Sequence, residues 1–87
     1  MIKLRLGPKT IAAEDASEMS RWVRLVARVE VYYSPSRQPP RFDVRATYAS
    51  GTTRTIVCKT ETEASEVARA WREAAREWRA REGVDPA

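Results

Sequence analysis

Ala64, Ala68, Trp71, Ala75 and Trp78 recur at spacings of four, three, four and three, with Val67 and Ala74 widening the same face, and this stripe constrains the fold more than any other feature. Such spacing is that of an amphipathic helix of about five turns, which must lay its apolar side on another layer. Thr60-Glu61-Thr62-Glu63 stands just upstream with the spacing of a capping box, so the helix is expected over 60–82. Gly83 and Pro86 then mark a stop, leaving 83–87 as a tail.

What covers the stripe must come from upstream. Phe42, Val44, Ala46 and Tyr48 alternate with Arg41, Asp43, Arg45 and Thr47, and a second run, Thr53 to Lys59, follows Ala49-Ser50-Gly51-Thr52. Two alternating runs around a glycine turn predict a β-hairpin, with Ile56 and Cys58 inside. Arg24 to Tyr33 alternates as well and is rich in β-branched residues, predicting a longer strand with Leu25, Ala27, Val29, Val31 and Tyr33 inward and Arg24, Val26, Arg28, Glu30 and Tyr32 outward. The prolines of Ser34-Pro35-Ser36-Arg37-Gln38-Pro39-Pro40 break both ladders. In the first 22 residues, Ile2, Leu4 and Leu6 read as a strand, Gly7-Pro8 as a turn, and Thr10 as the cap of a short helix carrying Ala12, Ala16, Met19 and Trp22 on one face. The expected fold is α+β in the order β-α-β-β-β-α: one domain with an N-terminal strand and helix (1–22), a three-stranded antiparallel sheet (23–59) and a long helix covering one sheet face.

Length and residue usage exclude several classes. At 87 residues there is room for one modest core. One cysteine, Cys58, precludes an internal disulfide and points to a reducing, cytoplasmic setting with the thiol as a small buried residue. No apolar run approaches the roughly 20 residues of a membrane span. With no histidine, and glycines only at 7, 51 and 83, the usual zinc ligands, the usual neutral-pH base and the glycine-rich phosphate loops are all missing. The expectation is a non-enzymatic protein without cofactor or metal.

Charge is the remaining signal. Residues 21–59 hold eight bases against two acids, whereas 1–20 and 60–82 are balanced or slightly acidic. On the expected register, Arg24, Arg28, Arg41, Arg45 and Lys59 share the sheet face opposite the helix, with Tyr32 among them and Arg37 on the adjoining loop. Guanidinium groups spaced along strands match phosphates, and an outward tyrosine can stack on a base. A sheet covered on one side also places polar residues on the other whether or not anything binds, so Glu30 and Asp43 could simply pair with these arginines. Expected partners are therefore nucleic acid, DNA in the first instance, or an acidic protein docking on the same face, with self-association through the helix stripe as a third outcome.

The stretch from Phe42 through Gly51 to Glu63-Ala64, a strand, turn, strand and helix start covering about a quarter of the chain, resembles the three-stranded arm-binding domains of phage-type integrases. The same unit occurs in small phage-encoded inhibitors and protein-binding domains, so the resemblance is compatible with either partner and assigns no residue a role.

Overall fold

The computed structural model describes residues 1–48 and 51–81. Seven elements follow one another: β1 (Ile2–Leu6), β2 (Lys9–Ala13), α1 (Ala16–Arg24), β3 (Val26–Ser34), β4 (Arg41–Tyr48), β5 (Thr53–Cys58) and α2 (Glu61–Arg81). The expected α+β order holds, with strands divided between an antiparallel hairpin, β1-β2, and an antiparallel three-stranded sheet with β4 in the centre. The expected tail, 83–87, with Glu82, Ala49 and Ser50, lies outside the described residues.

The N-terminal third differs from its sequence expectation. Lys9 to Ala13 pairs with β1 rather than opening a helix, with Leu6 opposite Lys9 and Ile2 opposite Ala13. Gly7 makes the connection at φ 62°, a conformation glycine adopts without steric cost, and a Cβ there would lie 3.3 Å from the Glu66 carbonyl oxygen of α2. The helix starts at Ala16 instead, because Asp15 is the better cap: its carboxylate accepts from the Glu18 N–H at 2.8 Å, and Glu18 accepts from the Glu14 N–H at 2.8 Å. That reciprocal pair commits the backbone five residues later than Thr10 would have.

α2 begins as its sequence predicts. Thr60 Oγ1 accepts from the Glu63 N–H at 3.1 Å, while the Glu63 carboxylate accepts from the Lys59 N–H and lies 3.3 Å from Lys9 Nζ of the first hairpin. Its stripe is buried: Ala64, Val67, Ala68, Trp71 and Ala75 meet Val26, Val29, Val44, Ala46 and Cys58 of the sheet, Leu6 and Ile11 of the hairpin, and Met19 and Val23 of α1. Removing each larger side chain from water contributes roughly 2 kcal/mol, so this one layer supplies most of the favourable term. The stripe that could have driven helix pairing is thus covered by the protein's own core. Among the described residues, no helix is long and apolar enough to cross a membrane.

Candidate nucleic-acid interface

The face of the three-stranded sheet away from α2 is set by register. In β4, Val44, Ala46 and Tyr48 are buried, and their partners across the ladder are Val31, Val29 and Val26 on one side and Ile56 and Arg54 on the other. The alternate residues therefore share the opposite face: Arg28, Glu30 and Tyr32 from β3, Arg41, Asp43, Arg45 and Thr47 from β4, and Thr53, Thr55 and Val57 from β5. α1, α2 and the first hairpin all pack on the buried side, so among the described residues nothing covers this face.

Four of the expected site residues, Arg28, Tyr32, Arg41 and Arg45, share that face. The Arg45 guanidinium sits 4.4 Å from the centre of the Tyr32 ring, a cation–π contact between diagonal neighbours on adjacent strands. Arg28 Nε lies 3.2 Å from Glu30 Oε1, which also accepts from the Tyr32 hydroxyl at 3.2 Å. Arg41 donates through Nε and Nη2 to Asp43 at 3.1 to 3.2 Å. Two carboxylates thus stand among three guanidinium groups, and the face is less positive than a count of its bases suggests. They also fix where two of those groups point, while Arg28 remains 67% exposed along its side chain.

Lys59 and Arg37 flank the face. Lys59 follows β5 beside the start of α2 and is exposed. Arg37 sits in the turn after β3, its N–H donating to the Ser34 carbonyl at 3.4 Å, with its side chain exposed. Both lie at the same end of the sheet as Arg41.

Arg24 does not belong to this face. It is the last residue of α1, half-buried, with Nε donating to Ser20 Oγ at 3.2 Å. The strand begins only at Val26, two residues later than its alternation predicts, and a ladder irregularity between Val26 and Arg28 resets the register. As a result Val26 is buried, whereas Leu25 is 40% exposed and Ala27 is exposed, the reverse of the sequence expectation.

Other arginines serve the fold itself. Arg54 lies 4.5 Å from the centre of the Trp22 ring, and both terminal nitrogens donate to the Ala12 carbonyl, tying β5 to the first hairpin. Arg72 donates to the Val29 carbonyl, and Arg79 to the carbonyls of Arg24 and Val26. Arg72 and Arg79 are seven residues apart and so share a helix side, the only trace of this role in the sequence. Cys58 is fully buried, and that desolvation, with Glu63 nearby, pushes its thiol pKa up, the opposite of an activated cysteine. No protein-family model, curated protein or solved structure matches this chain.

Proposed function

We propose that this protein is a DNA-binding domain that lays the uncovered face of β3, β4 and β5 against the phosphate backbone and performs no chemistry. The carrying observation is the Arg45 guanidinium held on the Tyr32 ring in the middle of that face. Flanking it, Arg28 and Arg41 are oriented by Glu30 and Asp43. An arginine has five donors, and each of these two carboxylates occupies only some of them, so the remaining N–H groups can meet phosphate oxygens. Arg37 and Lys59 extend the surface at one end, and Thr47, Thr53 and Thr55 supply hydroxyls to the other.

One side of the Tyr32 ring is already occupied by Arg45, which favours backbone contact with duplex DNA over base stacking on a single strand. A reducing cytoplasm suits this reading, with Cys58 as an inert core thiol. With three to five phosphates neutralised, a plot of log K against log salt should have a slope of about −3 to −5 on duplex DNA. Electrophoretic shift at several salt concentrations, comparing the wild type with Arg28→Ala and Arg45→Ala, is the test. Absence of binding at low salt, a slope of about −1 or shallower, or unaltered binding by both variants would overturn it.

Glu30 and Asp43 favour a second reading, in which the same face takes an acidic protein. Arginine and tyrosine anchor such interfaces, and fixed acids would select against a continuous polyanion. A stoichiometric protein in purified material, in place of nuclease-sensitive absorbance, would decide for it.

A further inference from the structure

β3 is an edge strand, and only part of its outer edge is closed. The Val29 carbonyl points away from β4, since it accepts from Arg72 of α2. Backbone groups alternate in direction along a strand, so the N–H and C=O of Val31 and Tyr33 point the same way. On the other side, Tyr48 exchanges backbone hydrogen bonds with the β5 side of its turn, through Thr52 and Gly51. Counting back by twos, Val44 and Phe42 also face β5, so their partners Val31 and Tyr33 face outward. Upstream, Arg79 and Arg72 occupy the edge at Val26 and Val29. Among the described residues, nothing hydrogen-bonds the outward groups of Val31 and Tyr33.

Apolar side chains line this open stretch. Val31 is 40% and Tyr33 58% exposed, and the Tyr33 ring stacks on Phe42 at 4.7 Å. Between them and the first turns of α2 runs a groove of about 550 Å³, walled by Val31, Tyr33, Phe42, Glu61 and Ser65. It continues along α2 into a hollow bordered by Arg69, Arg72 and Arg76, with Glu73 the one acid lining it among the described residues.

From this arrangement we infer a second binding surface: the edge of β3 at Val31 and Tyr33 accepts an extended acidic peptide as an added strand, its alternate apolar side chains in the groove and its carboxylates against Arg69, Arg72 and Arg76. Two outward residues offer four backbone hydrogen bonds, and main-chain pairing of this kind carries affinity while the flanking groove sets side-chain preference. A second copy of the chain fits less well. Two-fold pairing of β3 with β3 would set the two α2 helices side by side on one face and bring their arginine rows into like-charge opposition. The surface is separate from the open sheet face and does not depend on DNA binding.

The probe is a fluorescein-labelled eight-residue peptide of alternating glutamate and valine, with an alternating lysine and valine peptide as control. Saturable binding of the acidic probe below about 1 mM is expected, with none of the basic one. The Val31 and Tyr33 amides should shift and exchange more slowly in NMR spectra of the complex. Arg69→Glu with Arg76→Glu should weaken binding by about tenfold or more, Val31→Lys should abolish it while the protein stays folded, and Arg28→Ala with Arg45→Ala should leave it unchanged. The proposal is overturned by absence of binding, by binding that leaves the Val31 and Tyr33 amides unmoved, or by equal binding of both peptides. Protection of those amides by duplex DNA, or by concentration-dependent dimerisation that Val31→Lys abolishes, would likewise assign the edge to another occupant.

Discussion

The indole N–H of Trp71 donates to the backbone carbonyl of Trp22 at 3.0 Å, joining the middle of α2 to α1 across 49 residues of sequence. Trp71 is fully buried, and Trp22 in turn donates to Glu18 at 3.2 Å. Trp71→Phe keeps most of the apolar volume and leaves the Trp22 carbonyl without its donor, for an expected loss of about 1 to 3 kcal/mol. Trp71→Ala also opens a cavity and should cost about 3 to 5 kcal/mol, a large share of the stability of so small a domain. Urea unfolding followed by circular dichroism measures both, and an unchanged stability in the phenylalanine variant would show the hydrogen bond to be immaterial.

Tyr48 makes the opposite case. Its ring packs 4.7 Å from that of Trp22, but its hydroxyl is buried without a hydrogen-bond partner among the described residues. Burial accordingly pushes the phenol pKa far up. Tyr48→Phe removes a polar atom that nothing satisfies and should be neutral or stabilising by up to about 1 kcal/mol. In an alkaline titration, the Tyr48 phenolate signal should emerge only with unfolding. A loss of more than about 1 kcal/mol in the phenylalanine variant would mean that the hydroxyl has a partner.

Arg79 joins two elements by reaching two carbonyls at once, those of Arg24 at the end of α1 and Val26 at the start of β3. Arg79→Ala should cost about 1 to 3 kcal/mol through lost charged hydrogen bonds and the desolvated carbonyls left behind. Arg79→Lys should recover little, because an ammonium cannot span both acceptors with a fixed fork. Full recovery in the lysine variant, read from thermal midpoints, would reduce the role of Arg79 to its charge.

Acid should weaken the fold through two capping glutamates. The Glu14 N–H and then the Trp22 indole hold the Glu18 pKa below its ordinary value of 4.5. For Glu63, partial desolvation pulls upward, but hydrogen bonds from Lys9 and the Lys59 N–H outweigh it and leave the pKa lowered. A carboxyl with a depressed folded pKa contributes stability that is complete above its unfolded value and is lost as pH falls through the folded one. Urea midpoints should therefore fall as pH drops below 4.5, the ordinary value for both groups. Glu18→Gln with Glu63→Gln keeps an acceptor at each site without its titration, and should flatten that acid limb. An unchanged slope in the double variant would place the acid sensitivity elsewhere.

Legibility in the sequence followed the length of the repeating signal. α2 and the β4-β5 hairpin each repeat their pattern over several periods, and both the cap at Thr60 and the inward set Phe42, Val44, Ala46 and Tyr48 follow from it. β2 has only five residues, Lys-Thr-Ile-Ala-Ala, whose alanines suit helix and strand alike, and its pairing depends on contacts with β1 and Arg54. Asp15-x-x-Glu18 is a stronger cap signal than Thr10, since its acid at the third helical position can reach back to the backbone. The irregularity at Ala27 could not be read at all, because a bulge inserts one residue into a strand without altering the pattern on either side. Arg28, Arg41 and Arg45 share one face by alternation alone, whereas the pairing of Arg28 with Glu30 and of Arg41 with Asp43 depends on side-chain positions that alternation leaves open.

α2 touches β1, β3, β4, β5 and α1, yet it is encoded downstream of them all. On a ribosome, everything up to Cys58 is made while the surface that will cover Val29, Val44 and Ala46 does not yet exist. Three strands and a hairpin then wait with their apolar sides uncovered, and a strand edge at Val31 is available to neighbouring nascent chains. Folding is therefore delayed until α2 has cleared the exit tunnel, and a message cut short after Lys59 would yield an aggregating product in place of a smaller working domain.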